Sequence, residues 1–436
     1  EQYTVPEETA KVAHAVFPKG TFCLTLADTL SEFVSDQDFS EIFATQGQPA
    51  ESPWRLALVT ILQYVEGLTD RQTADAVRSR IDWKYVLCLE LTDVGFHHTV
   101  LSEFRTRLIT AQAECLVFER LLSLCQDKGW LKARTRQRTD STHVLAAIRA
   151  VTRLECVGET LRAALNALAV AAPDWLRPQS QSEWVDRYSE RIEDYHLPKS
   201  KTKRVEQAEL YGNDGFRLLN AIFESTSPQW LRQIPAVETL RRVWIQQYYC
   251  FNNKIRWRIQ GEIPPASVMI SSPYEPDAHY AKKKTTSWVG YKVHLSETCE
   301  PGELHLITNV ETTAGPVDDG DMTEVIHASL DNNNLLPDKH IVDTGYLDAE
   351  LLVTTQANYQ VDLFGPTRSD HRWQANDAKG FAAANFIVDW NNHSLTCPEG
   401  KTSASWTPAI DGRDNEVIKI KFASADCSVC PSLELC

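Results

Sequence analysis

Lys339-His340-Ile341-Val342-Asp343-Thr344-Gly345-Tyr346 is the stretch on which the fold turns. Two β-branched residues run into a carboxylate, and a glycine follows two places on. That pattern predicts a short buried strand ending in a tight turn. Ligand sites in open α/β sheets gather at the carboxyl ends of strands, so Asp343 is a candidate for chemistry. Its best partner is Asp140, in Gln137-Arg138-Thr139-Asp140-Ser141-Thr142-His143, 203 positions upstream (343 less 140). Two carboxylates on neighbouring strands repel unless a divalent cation bridges them. Such a pair holding Mg2+ or Mn2+ is an apparatus for phosphoryl transfer. Each acid also has a structural reading. Asp140, Ser141 and Thr142 all suit the N-cap of a following helix, and Asp343 suits a turn beside Gly345.

Outward from this pair, the chain divides by its periodicity. Residues 1–130 read as helical, a candidate DNA-binding domain. Trp54, Leu58, Ile61, Leu62 and Val65 share one helical face, Gly67 ends that helix, and Thr69-Asp70-Arg71-Gln72 is a capping box. A three–four stripe from Leu101 to Cys125 predicts one long helix from Thr99 to about Lys128. Short helices with tight turns allow a helix-turn-helix reader, and equally a packed bundle or dimer surface. Residues 131–149 hold the first strand of the catalytic core. A helical face runs from Val144 through Leu154 to Leu168. Residues 150–262 read as a helical insertion packed by Trp175, Trp184, Trp230, Trp244 and Trp257. From 263 to 370 the period changes to two: Val289, Tyr291, Val293 and Leu295 alternate with Gly290, Lys292 and His294 as a half-buried strand. A return strand at Leu304–Val310, a helix near Met322–Leu330 and a last strand at 361–364 complete a mixed α/β sheet.

Hydrophobic residues make up 43% of the 436 and charged residues 24%, as in globular domains, and no apolar run is long enough for a membrane span. The start lacks the basic and apolar regions of a signal peptide; it also lacks a Met, so a few residues are expected in front. The formal charge of −15 argues against uniform non-specific binding to nucleic acid. Local basic clusters are compatible with a DNA groove. Lys199, Lys201, Lys203 and Arg204, with Lys282, Lys283 and Lys284, are the candidates for phosphate contacts; solvated helix faces and loops are the alternative.

The 11 cysteines include Cys88, Cys115 and Cys125 within apolar helical patterns, which reads as reduced, buried thiols. Cys397, Cys427, Cys430 and Cys436 differ. Cys427-Ser428-Val429-Cys430 is a CxxC, and four sulfurs complete a structural Zn2+ site, with His393 able to replace one. Ordinary reduced thiols are the alternative. Residues 371–436 are expected to be a Cys-rich, zinc-ribbon-like insert if the metal reading holds.

Five separate motifs, in order, resemble one family. Leu68-Thr69-Asp70-Arg71-Gln72 with Asp82-Trp83-Lys84-Tyr85, then Leu101-Ser102-Glu103-Phe104-Arg105-Thr106-Arg107-Leu108, resemble the helical N-terminal domain of bacterial insertion-sequence DDE transposases whose C-terminal insert bears cysteines. Thr139-Asp140-Ser141-Thr142-His143 and Val342-Asp343-Thr344-Gly345-Tyr346 resemble that family's two catalytic strands, and Trp288-Val289-Gly290-Tyr291-Lys292-Val293-His294 its sheet hairpin. The resemblance covers nearly all of the chain from about residue 20. It implies a ribonuclease-H-like sheet and metal-dependent cleavage and strand transfer at transposon ends, with Asp140 and Asp343 as metal-holding acids. Its implied partners are double-stranded DNA, both element ends and target, and further copies of the chain assembled on it. It implies no membrane and a place in the cytoplasm with the nucleoid. Such proteins carry a third acid, a Glu, beyond the Cys-rich insert. Glu399 and Glu434 lie within the insert and do not match it, so the resemblance predicts a chain cut short of that acid. A catalytically incomplete DNA-binding remnant and a non-transposing nuclease are the competing readings.

Overall fold

The computed structural model describes residues 4–30, 35–43, 51–148, 151–252, 254–283, 285–367, 372–376, 380–412 and 416–436. Internal contacts divide the chain after Phe364 into two units.

The first unit opens with α1 (Glu7–Val16), α2 (Phe22–Leu30), α3 (Pro53–Glu66), α4 (Asp70–Ser79), α5 (Ile81–Val86), α6 (Thr99–Thr110) and α7 (Leu116–Asp127). Gly67 closes α3 with a left-handed φ of 65°. Thr69 caps α4 as its sequence predicts: the Thr69 amide donates to Gln72 Oε1 at 2.9 Å, and the Gln72 amide donates to Thr69 Oγ1 at 3.4 Å. The long helix expected from Thr99 to Lys128 is two helices, with Gln112 at a positive φ of 54° between them. One apolar stripe serves two cores. Leu101 and Phe104 are buried with Val59, Leu62 and Trp83, whereas Leu122 and Cys125 are buried with Ile326 and Leu330 beneath the sheet.

That sheet is built from β1 (Arg136–Leu145), β4 (His279–Lys283), β5 (Thr286–Thr298), β6 (Ile307–Ala314), β7 (Lys339–Val342) and β8 (Asp362–Phe364). β1 runs antiparallel along one edge of β5, while β4 and β6 follow one another along the other edge. β7 lies parallel to β1, and β8 parallel to β7. At Gly290, flanked by β1 and β4, φ is 149° and a Cβ would overlap the carbonyl oxygen of Val144. Helices α13 (Met322–Asn332) and α14 (Ala349–Tyr359) connect β6 to β7 and β7 to β8. β5 alternates as expected, but its better-buried face is the polar one, carrying Lys292, His294, Ser296 and Thr298.

Two expectations fail at the flanks of the insertion. Asp140 caps no helix, because β1 continues past it to Leu145. Val144 and Leu145 pair with Tyr291 and Gly290, and the helix begins only at Arg153, capped by Thr152. At the far end, β2 (Tyr248–Phe251) and β3 (Lys254–Trp257) form a hairpin where helix was expected. The run Tyr248-Tyr249-Cys250-Phe251 favours extended backbone, and Asn252 turns it with φ 50°. Between lie α8 (Arg153–Ala171), α9 (Pro173–Gln179), α10 (Ser182–Tyr188), α11 (Lys201–Phe223) and α12 (Pro235–Gln247). Trp184 and Trp244 are buried in their core, Trp175 and Trp257 pack against it, and Trp230 is exposed.

The second unit, residues 365–436, contains the antiparallel hairpins β9 (Ile387–Asp389) with β10 (Ser394–Thr396), and β11 (Ser405–Ile410) with β12 (Glu416–Lys421). None of its described residues is fully buried. Among the described residues of the chain, no helix is long and apolar enough to cross a membrane.

Gly215 of α11 tests the insertion's packing. A Cβ there would overlap the Trp244 ring, whereas one at Gly261 would meet nothing within 4 Å. Gly215→Ala should lower stability by about 1–3 kcal/mol in urea unfolding, and Gly261→Ala should leave the midpoint nearly unchanged.

Candidate active site

The pairing of β1 with β7 decides where the two acids stand. Arg136 pairs with Lys339, and the register runs to Thr139 beside Val342. One residue further, Asp343 leaves the end of β7 beside Asp140, which stays within β1 paired with Leu295 of β5. Side chains alternate along a strand: Thr139 and Val342 are buried, and both aspartates are exposed. Asp140 Oδ1 accepts from the Ser141 amide at 2.7 Å, and Asp343 Oδ1 accepts from the Gly345 amide at 2.8 Å. The turn role read for Asp343 is therefore present alongside its exposure.

A third carboxylate joins them that the sequence reading missed. Asp319 follows β6, and its Oδ2 accepts from Ser141 Oγ at 3.4 Å. A Cβ placed on Gly345 would lie 3.0 Å from Asp343 Oδ1 and 3.2 Å from Asp319 Oδ2, so a side chain there would crowd both acids. Asp319 is neutralised where it stands. Lys292 Nζ donates to its Oδ1 at 2.6 Å and also to the Val317 carbonyl, and both side chains are nearly buried. Among the described residues, no cation is paired with Asp140 or Asp343. The site thus holds one compensated carboxylate and two uncompensated ones. Burial pushes the Tyr346 phenol well up, and the neighbouring Asp319, Asp140 and Asp343 push it the same way.

Beneath the acids lies a polar layer. Tyr346 shares a hydrogen bond of 2.5 Å with His294 Nδ1, whose Nε2 lies 3.2 Å from Thr313 Oγ1. Thr139 Oγ1 lies 2.6 Å from both Ser296 Oγ and His340 Nε2, and His340 Nδ1 lies 2.8 Å from His327 Nε2. Burial lowers His294, lowers His327 to about 4 and, with His327 beside it, lowers His340 to about 3. The ring proton of each neutral imidazole can then serve these bonds.

Among the described residues, no group of three or more His, Cys, Asp or Glu side chains stands in metal-holding geometry. What Asp140 and Asp343 offer is a pair, and Mg2+ commonly takes one or two carboxylates plus substrate phosphates. Lys282 and Lys283 line a cleft of about 540 Å3 together with Lys292 and Asp319. Lys284 lies outside the described residues. Lys199, Lys201 and Lys203 are exposed around the start of α11 and do not line that cleft, and Arg204 is ion-paired with Asp194. Cys427 and Cys430 share a turn in which the Cys430 amide donates to the Cys427 carbonyl at 3.1 Å. The Lys401 amide donates to Cys397 Sγ at 3.3 Å. His393 stacks on Trp406 instead of joining the cysteines.

Residues 11–107 match the family model described as a transposase domain (DUF772). No curated protein and no solved structure matches it. The matched segment holds the Leu68–Gln72 and Asp82–Tyr85 motifs and all but the last residue of the Leu101–Leu108 motif, and side chains of this region hold one another. Asp70 accepts from Gln63 at 2.8 Å and from Arg105 at 2.7 Å, the Arg105 bond keeping its carboxyl below the usual range, and Trp83 is fully buried. Asp140, Asp319 and Asp343 lie outside the match.

The buried histidines should make the fold acid-sensitive. Their pKa values are lowered on folding, so their stability contribution is complete above the unfolded value of about 6.5 and falls as pH drops towards 4 and then 3. His327 alone should account for roughly 3 kcal/mol of that loss. Urea unfolding of His327→Gln between pH 7 and pH 4 should show a shallower pH dependence than the parent chain.

Proposed function

We propose that the chain is a DDE-type DNA transposase in which Asp140 and Asp343 serve strand cleavage and strand transfer at the ends of an insertion sequence. The observation that carries this reading is the pair of exposed, uncompensated carboxylates one step beyond the last pairing of two neighbouring parallel strands. The transposase-domain match over residues 11–107 supports this class of reaction. The ribonuclease-H-like reading of the sheet is supported by its order, an antiparallel β6-β5-β1 meander continued by β7 and β8 parallel to β1.

Charge explains how the site would work. Lys292 neutralises Asp319, so the exposed pair keeps two negative charges that favour a divalent cation. Mg2+ or Mn2+ held by Asp140 and Asp343 would activate a water or a 3′-hydroxyl and stabilise the leaving oxygen. Lys282 and Lys283 face the cleft beside Asp319 and would meet phosphates of double-stranded DNA, element end or target. Ser141 Oγ donates to Asp319, and Tyr346 bonds His294 beneath the acids. Assembly of copies on paired ends, and a place with the nucleoid in the cytoplasm, belong to the same proposal.

A second reading has one observation in its favour: the third carboxylate at the site is occupied by a lysine. On that reading the chain binds element ends and does not cut them. Cleavage of DNA carrying the element's own ends, with Mg2+ or Mn2+, separates the two. Asp140→Asn and Asp343→Asn should each reduce cleavage by on the order of 100-fold or more while end binding persists. End binding without any cleavage by the parent chain would favour the remnant. Cleavage indifferent to Asp343→Asn would refute the assignment of the acids.

A further inference from the structure

The second unit poses a problem of stability. Its described residues include none that is fully buried, and a small unit without an apolar core ordinarily needs a disulfide or a metal to hold it. All four of its cysteines are free. They sit on two turns that face each other. One turn spans Cys397 to Lys401, closed by the Gly400 amide donating to the Cys397 carbonyl at 2.8 Å. The other begins at Cys427 and Cys430 and leads to Cys436. Two side-chain contacts tie them: Ser432 Oγ donates to Glu399 Oε1 at 2.6 Å, and Lys401 Nζ lies 3.4 Å from Asp426 Oδ1. The Lys401 amide already points its proton at Cys397 Sγ. Cys430, Cys397 and Cys427 all lie near enough to Cys436 to act on it electrostatically.

We infer that Cys397, Cys427, Cys430 and Cys436 ligate a single structural Zn2+, and that residues 365–436 fold together with that ion. Four sulfurs from two facing turns are the donor set of a closed tetrahedral zinc site. The sulfurs are not at ligand geometry in the structure, so ligation requires them to draw together. Each thiol gives its proton to solvent as it binds. With all positions filled by protein, the ion would have no open position for substrate and its role is structural.

The full chain, made in zinc-supplemented medium and analysed by plasma mass spectrometry, should carry about one zinc ion per chain. Cys430→Ser should lose nearly all of it. Cys250→Ser, which removes an exposed thiol of the first unit, should keep it. Because a serine variant can lose metal by misfolding alone, the parent chain should also be loaded with Co2+. Thiolate-to-cobalt absorption is expected, together with protection of the 365–436 segment from protease that a chelator removes. The inference is overturned by a zinc-free chain whose four thiols react freely with a thiol reagent, by a Cys427–Cys430 disulfide, by iron in place of zinc, or by zinc retained in Cys430→Ser.

Discussion

The parallel contact between β1 and β7 is the constraint on which the acid site depends. A register slip of one residue would turn Asp140 inward and expose Thr139. The polar layer beneath the sheet opposes that slip. Thr139 hydrogen-bonds His340 across the pairing, and Gln137 Nε2 donates to the Leu335 carbonyl at 2.7 Å while its Oε1 accepts from Thr308 at 2.7 Å. An apolar layer would bury these positions as well but would not specify register as sharply, because hydrogen bonds are directional. Misplacing such groups leaves buried polar atoms unpaired, at a cost of about 1–3 kcal/mol each.

The same layer explains the distribution of charge. Lys292 sits on the buried face of β5, where an isolated ammonium would be expensive, and Asp319 is the counter-ion that makes it tolerable. Asp319 therefore has a structural partner, whereas Asp140 and Asp343 face outward and, among the described residues, accept from backbone amides. Three acids at one place thus fall into two kinds by what faces them.

The sequence was legible where local chemistry governs. The cap at Thr69, the glycine end of α3 and the strand before Asp343 all appear as their residues predict. It was illegible where distant partners decide. The stripe from Leu101 to Cys125 has helical spacing throughout, and nothing local reveals that its halves enter different cores. Val144 and Leu145 fit a helical period equally well, and only their pairing with β5 makes them strand. Asp319 lies in an unremarked Asp-Asp-Gly turn whose importance comes from Ser141 and Lys292, 178 and 27 residues away. The polar residues of β5 look like a solvent face by composition, yet Tyr346, Thr139 and Asp319 give them partners inside. Asp343 was found because a strand followed by a glycine turn is a local signal.

The insertion between β1 and β4 has a consequence for synthesis. A ribosome makes the chain from its amino end at about 5–20 residues per second, so Asp140 waits roughly 10–40 s for Asp343 to be made. During that interval β1 lacks β5 and β7, and its pairing edges are open. The helices of the insertion, with a core of their own, can fold meanwhile on the growing chain. The two acids can meet only after this body has been synthesised, so a nascent protein still tethered to its message carries no assembled acid pair until Asp343 has been translated.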